Sequence, residues 1–472
     1  MNIVYNEILI YRNGKREYPN SNIAQYDVHP WHTGDYTNLK VIEDTYGIKF
    51  PYHIKGGEDP KFLELIELFR SQQIQVFLDH NYNRHKVYTL DEITNIRVNY
   101  IYPIVIYSNE IFKKYQTIDI PSKIIQDARN GNCKICFIQP TEGFFGEDDK
   151  NFIWLDRLSN KYELSSNSLI GISTNFIADQ RKKSLEERGL IGKDSFKIIE
   201  YSYFQSNLWF TNPGHITDPN ADRMAREKLQ EFITHSLTER KTHHFLNFNR
   251  VPKLHRVILF GVLNSKDIFK DKFISTLGGA DTDDKQFYKQ WVEGQVPDVY
   301  EWKKDIVNFY ENYDCRVHTW YDEPDLENNK ANTFNTTAHK ESFVNIVSES
   351  LIHHETVFFS EKTYKPMFCA QPFIMVGNPQ SLKVLRKQGF KTFDKWWDES
   401  YDEELDFHKR MDKIIKVMET IASWDMDKCY KITQEMLPTL IHNFNILMKG
   451  ESLYNLLDEL EDFGDKESKT LI

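Results

Sequence analysis

Short apolar runs alternate with longer amphipathic stretches along most of this chain, most clearly from residue 101 onward. Residues Ile101 to Tyr107 predict a strand. Pro121 to Arg129 predicts a helix with proline in its first turn and Gly131 just past its end. Strands are expected over Lys134 to Ile138, Leu169 to Ser173 and Phe196 to Tyr201. Runs this apolar, separated by helices, point to a parallel sheet covered on both faces. Before residue 100 the pattern is weaker. A helix over Pro60 to Ser71 and a strand over Ile74 to Leu78, ending at Asp79 and His80, are the readable elements there.

Thr211 to Asn220 is rich in Asn, Pro, Gly and Asp and reads as a linker, followed by a charged helix over Ala221 to Ser236. The alternation then restarts. Strands are expected at Phe245 to Phe248, Ser342 to Val347 and Pro372 to Gly377, with helices at Lys253 to Leu263 and Pro379 to Gln388, the latter ended by Gly389. Glu403 to Leu460 is amphipathic and helical. The pattern therefore predicts an α/β protein of two units, 1–235 and 236–440, with residues 1–100 elaborated and 441–472 as a terminal helix and tail.

The 472 residues are enough for two large units, each able to build a full core. A net charge of −11 argues against a protein whose main task is to coat nucleic acid. Twenty glycines argue against glycine-rich phosphate loops. No segment approaches the ~18 uninterrupted apolar residues of a membrane span. The amino terminus lacks the basic start and apolar stretch of a signal peptide, so the expected location is cytoplasmic. Five cysteines make no disulfide framework, and Cys133 and Cys136 fall inside a strand as core thiols.

Two constellations carry candidate chemistry. In Phe358-Phe359-Ser360-Glu361-Lys362, Ser360 can cap a helix whose first turn holds a carboxylate and an ammonium. Free amides with an ammonium suit a phosphate, and the carboxylate can accept from a ribose diol. Pro366 leaves a second register open, in which it starts the helix and Glu361 and Lys362 lie in the loop before it. In Phe245 to Arg256, an apolar strand runs into the basic turn Asn249-Arg250-Val251-Pro252-Lys253 and then a helix, where a parallel sheet binds anions.

With Glu349-Ser350 and the strand Pro372 to Pro379, these segments resemble the donor-binding region of the α-1,3-fucosyltransferases. The stretch from Ser381 to Asp402 resembles fucosyltransferase-like proteins of phages, large viruses and bacteria. The likeness spans about residues 240–440. Phe358 and Ser360 stand where that family has Tyr and Thr, and Ser348-Glu349-Ser350 replaces its Phe-Glu-Asn-Ser segment. The resemblance implies a GT-B fold of two Rossmann-like domains facing a cleft, inversion at the sugar and no obligatory metal. It implies that Glu361 holds the ribose and that Lys362 and Arg256 hold the diphosphate of a nucleotide-sugar donor. Asn249, Arg250, Glu349 and Ser360 complete that expected donor site.

An inverting transfer needs a base at the acceptor hydroxyl, and the best local candidate is Glu142, just beyond the end of the strand Lys134 to Ile138 and followed by Gly143, Phe144 and Phe145. Asp79, His80 and Glu147 are rivals. Asp281 to Asp284 and Asp425-Met426-Asp427 do not end apolar strands, as a metal-binding Asp-x-Asp would, and the pairs His29/His32 and His353/His354 lack zinc spacing. Lys395-Trp396-Trp397-Asp398 is expected at a domain contact, with a sugar-stacking surface as the alternative. The expected acceptor is a glycan or another hydroxyl. A viral DNA base is an alternative that would need a local basic rim, offered by Arg181, Lys182, Lys183, Arg240 and Lys241. A non-catalytic nucleotide- or glycan-binding protein and a virion component are the remaining alternatives.

Overall fold

The computed structural model describes residues 2–5, 10–12, 15–17, 86–89, 99–105, 120–138, 149–202, 204–205, 221–249, 251–277, 285–312, 336–353, 355–449, 455–456, 458–460 and 462. The chain divides into two compact units, Met1–Tyr203 with Ser452–Ile472, and Phe204–Glu451. Each is mixed α/β around a parallel sheet.

The first unit holds β1 (Asn2–Tyr5), a hairpin of β2 (Ile10–Arg12) and β3 (Lys15–Glu17), β4 (Lys86–Thr89), β5 (Tyr100–Val105), α1 (Ser122–Arg129), β6 (Cys133–Ile138), α2 (Lys150–Tyr162), β7 (Leu169–Ser173), β8 (Asn175–Phe176), α3 (Ala178–Glu187) and β9 (Lys197–Glu200). Its six-stranded sheet runs β4-β1-β5-β6-β7-β9 with every pairing parallel. The cause is the alternation of apolar runs and helices: β7 is buried at every position, as a strand covered on both faces requires. Ile124 and Ala128 of α1, Leu155 of α2 and Leu185 of α3 lie in the core around Ile135 and Phe137. Each of the isoleucine, leucine and phenylalanine side chains contributes about 1.5–3 kcal/mol of burial. Gly131 has φ of 72°, the left-handed conformation that ends α1. Pro121 is the residue before that helix, one position ahead of the expected first turn.

The second unit holds α4 (Ala221–Thr238), β10 (His243–Asn249), α5 (Leu254–Ser265), β11 (Phe273–Leu277), α6 (Lys285–Gln295), α7 (Trp302–Asn312), α8 (Thr336–Glu341), β12 (Ser342–Ser348), β13 (Val357–Phe358), α9 (Glu361–Phe368), β14 (Phe373–Val376), α10 (Ser381–Lys387), α11 (Phe407–Ala422) and α12 (Met426–Lys449). Its parallel sheet runs β11-β10-β12-β14, so Leu277, Asn249, Ser348 and Val376 end at the same edge. The register pairs Phe248 with Thr276 and Ser348 with Val376. Behind the sheet, α5 packs closely on α7. A Cβ on Gly261 would stand 2.6 Å from Ile306 Cγ2, and Tyr310 Oη donates to the Val257 carbonyl at 2.7 Å.

Two boundaries differ from the sequence reading. The units part at Tyr203/Phe204, not at 235/236. The helix α4 goes with the second unit because it buries Leu229 and Phe232 there, and Tyr430 Oη of α12 donates to its Leu237 carbonyl at 2.6 Å. Residues 441–472 are not one tail. The helix α12 runs unbroken to Lys449, whereas the segment from Ser452 groups with the first unit. Lys134 anchors it: its ammonium donates to the carbonyls of Glu459 at 2.8 Å and Leu460 at 3.1 Å, and to that of Asp462. Cys133 and Cys136 are buried free thiols, with Cys136 pushed up to about 12 by burial. Among the described residues no helix is long and apolar enough to cross a membrane.

Candidate functional site

Two turns meet at the carboxyl edge of the four-stranded sheet. The first joins β10 to α5. Asn249 Nδ2 donates to Asn247 Oδ1 at 2.7 Å, and Asn247 Nδ2 donates on to the Ile346 carbonyl and Ser348 Oγ of β12. This polar ladder ties the ends of β10 and β12 together. The Oδ1 of Asn249, itself buried, has no hydrogen-bond partner among the described residues.

At the start of α5, Arg256 is 3% exposed. Its Nη1 donates to the Val251 carbonyl at 2.9 Å, and its Nη2 donates to those of Ser348 and Glu349 at 3.1 and 3.2 Å. The preceding His255 is buried, and its Nε2 faces the Glu349 carbonyl at 2.9 Å, which fixes the proton on Nε2. Burial first, then the adjacent Arg256, keeps this imidazole well below its usual range and neutral. Lys253 Nζ donates to the Ser350 carbonyl at 2.6 Å. Three basic side chains thus stitch one turn to the end of β12. The sequence reading expects Arg256 to meet a diphosphate; in the structure its guanidinium is turned to three main-chain carbonyls.

The second turn leads into α9. Ser360 is its N-cap, with Oγ accepting from the Lys362 N–H at 3.3 Å, so the helix starts at Glu361 and Pro366 lies inside it. Of the two registers open in the sequence, the cap at Ser360 is the one adopted. Glu349, fully buried, accepts the Ser360 N–H on both carboxylate oxygens at 3.0 and 3.1 Å, the Ser350 N–H at 3.2 Å and the Thr363 hydroxyl at 2.5 Å. Burial pushes its carboxyl above the usual carboxylate range, and Lys362, Ser360 and Thr363 offset part of that rise. The structure therefore places Glu349 beneath the helix start as a support.

Glu361 and Lys362 are the outward pair. Their side chains are 18% and 24% exposed, and Lys362 Nζ lies 2.9 Å from Glu361 Oε1. Burial opposes ionisation of Glu361, but Lys362 and Lys365 outweigh it and hold the carboxyl below its usual range. The site therefore presents an ionised carboxylate, an ammonium and a capped helix start side by side. His255, Lys253 and Thr363 were not singled out in the sequence. The signal for the first two was present in the basic turn, but their acceptors lie some 95 residues downstream.

Arg250 and Glu142 lie outside the described residues, as do Asp79, His80, Glu147, His29, His32, His354 and Asp281 to Asp284. Asp425 Oδ1 accepts the Lys428 N–H, and Asp427 pairs with Arg240. His353 packs edge-on against Phe407. Of the basic residues expected at a DNA rim, Arg181 pairs with Asp149, Lys182 with Glu186, Lys183 with Asp179 and Arg240 with Asp427. Lys241 is buried, donating to the Lys340 carbonyl at 2.9 Å. Trp397 packs on Phe393 within the second unit.

No family model matches the chain, and no curated sequence matches it. Among solved structures it is similar to the N-terminal domain of trehalose-6-phosphate phosphatase from Candida albicans, with 8% identity and a TM-score of 0.38. The match covers 90% of this chain and 80% of that one. At that score the likeness carries nothing about activity.

Proposed function

We propose that the chain is an inverting GT-B glycosyltransferase that moves a sugar from a nucleoside-diphosphate donor to an acceptor hydroxyl. The observation that carries this reading is the pairing of Glu361 and Lys362 on the Ser360-capped start of α9, at the carboxyl edge of a parallel sheet. Ligands of open α/β sheets bind at that edge. Two units that each contain a parallel sheet also support it.

In this reading the Glu361 carboxylate accepts from the ribose diol, and the Lys362 ammonium meets the diphosphate. The amides of the first turn of α9 add positive potential. The acceptor oxygen bonds to the anomeric carbon as the bond from that carbon to the diphosphate oxygen breaks. The acceptor's proton passes to a base, for which Glu142 is the candidate. The leaving diphosphate takes the bonding pair, and Lys362 with the helix amides stabilises it. Arg256 and Glu349 act by holding the two turns in place.

The test is a thermal-shift panel of GDP-, UDP-, ADP- and CDP-sugars, since a ligand that binds only the native state raises its stability. A shift with one donor class, lost in Glu361→Ala, is expected. No shift with any donor overturns the reading.

A further inference from the structure

The first unit has polar groups of its own at the carboxyl edge of its sheet, where β7 and β9 end beside the start of α3. The register pairs Ser173 with Glu200, so the two strands end level. The Tyr201 N–H donates to the Ser173 carbonyl at 2.8 Å and carries the ladder one step further.

Past β7 the chain bends. Ser173 Oγ donates to the Asn175 carbonyl at 2.8 Å and accepts the Asn175 N–H at 3.0 Å. This closed loop sets Thr174 at its tip, between β7 and β8. Thr174 is 5% exposed, and its hydroxyl makes no hydrogen bond among the described residues. Its oxygen is not one of the unpartnered polar atoms sealed from solvent, so a small molecule can reach it. Buried hydroxyls are almost always paired, and a ligand can supply the missing partner.

Glu200 stands on the neighbouring strand at the same edge. It is half-buried, and its Oε1 accepts the Asp179 N–H in the first turn of α3 at 3.0 Å. A carboxylate has about four acceptor sites, so it can take further donors. Ile177, the residue before α3, has φ of 60°, a left-handed conformation that a β-branched side chain rarely adopts. Such strain costs on the order of 1–3 kcal/mol. Here it accompanies the helix entry that brings the Asp179 N–H to Glu200.

These groups select among ligands. Glu200 asks for hydrogen-bond donors and repels a phosphate or a carboxylate. Thr174 both donates and accepts. A protonated polyamine would satisfy Glu200 but leaves the Thr174 proton without an acceptor. Adjacent sugar hydroxyls satisfy both.

We propose that Glu200 and Thr174 form a site for a neutral sugar, Glu200 accepting from one hydroxyl and Thr174 bonding its neighbour. In the glycosyltransferase reading this sugar belongs to the acceptor; the binding itself does not depend on that reading.

The experiment is saturation-transfer NMR of the full-length protein with maltose, cellobiose and lactose, and with spermidine as the cationic control. At least one disaccharide is expected to bind, and spermidine is expected not to compete with it. Its affinity should fall at least roughly fivefold in Glu200→Gln and in Thr174→Val. Thr174→Ser, which keeps the hydroxyl, should retain it. The donor-induced thermal shift is expected to stay in all three variants, so loss of the disaccharide signal leaves the donor reading standing. No saturation of any disaccharide, displacement by spermidine, or unchanged affinity in Glu200→Gln or Thr174→Val each overturns the proposal.

Discussion

The carboxylate of Glu349 lies beneath the first turn of α9 and takes the Ser360 N–H on both oxygens, at 3.0 and 3.1 Å. The pair joins the end of β12 to the helix cap, so the outward residues Glu361 and Lys362 inherit their position from a group no ligand touches. Replacing Glu349 by Ala strands the Ser360 N–H and the Thr363 hydroxyl, and is expected to cost about 2–4 kcal/mol in urea unfolding at pH 7. Glu349→Gln keeps one acceptor and should cost less. Because burial raises this carboxyl above its unfolded value, the native state holds its proton longer than the unfolded chain. Its contribution therefore falls as pH rises from the ordinary glutamate range through the folded value, and is level above that. Glu349→Gln should remove that part of the pH dependence.

Arg256→Lys separates positioning from direct ligand contact. An ammonium cannot reproduce a fork that serves Val251, Ser348 and Glu349 at once. A stability loss of about 2–3 kcal/mol is expected in chemical denaturation. Nucleotide affinity in the folded fraction should change less than threefold. A large affinity loss with intact stability would return Arg256 to the diphosphate.

Lys362→Met removes the outward ammonium. A roughly tenfold or greater loss of nucleoside-diphosphate affinity is expected by titration. Its partner Glu361 has a folded value below the unfolded one, so its stabilising contribution is present above the ordinary glutamate range and fades as pH falls through the folded value. Donor binding should accordingly persist at pH 5.

Lys241 gives a slope opposite to that of Glu349. Burial, chiefly, lowers its ammonium to about 8. Between about pH 8 and the unfolded lysine range the unfolded chain binds the extra proton, so stability rises with pH across that window and is level below it. Lys241→Met should abolish the rise, which amounts to at most about 3 kcal/mol. Urea midpoints at pH 7 and pH 10 check it.

Glu142→Gln tests the acceptor side. Turnover is expected to fall at least roughly a hundredfold, as loss of a general base does. The donor-induced thermal shift should remain. Unchanged turnover would assign the base elsewhere.

Local chemistry was readable in the sequence, and distant acceptors were not. The cap at Ser360 and the left-handed end at Gly131 depend on a few neighbouring residues, so their patterns announced them. The strands β6, β7, β10, β12 and β14 followed from apolar runs buried on both faces. The strand β11 was missed because Ser275 and Thr276 interrupt its apolar pattern. Arg256 reads as an anion ligand from its turn alone. Only the placement of Ser348 and Glu349 beside it, 92 and 93 residues on, shows its guanidinium engaged. The boundary at 203 was hidden for a similar reason: which unit claims α4 depends on Phe232 and on Tyr430.

Gly261 sits on α5 more than a turn beyond Arg256, with Ile306 where a side chain would be. That contact works as a spacer gauge for the helix. Any larger residue there must push α5 away from α7, and the displacement is carried along a rigid rod to the turn that holds Arg256, His255 and Lys253 against β12. The alignment of the two turns is thus adjustable from a position with no polar group. Variation at 261 and at its counterpart 306 is where compensating pairs of substitutions should arise.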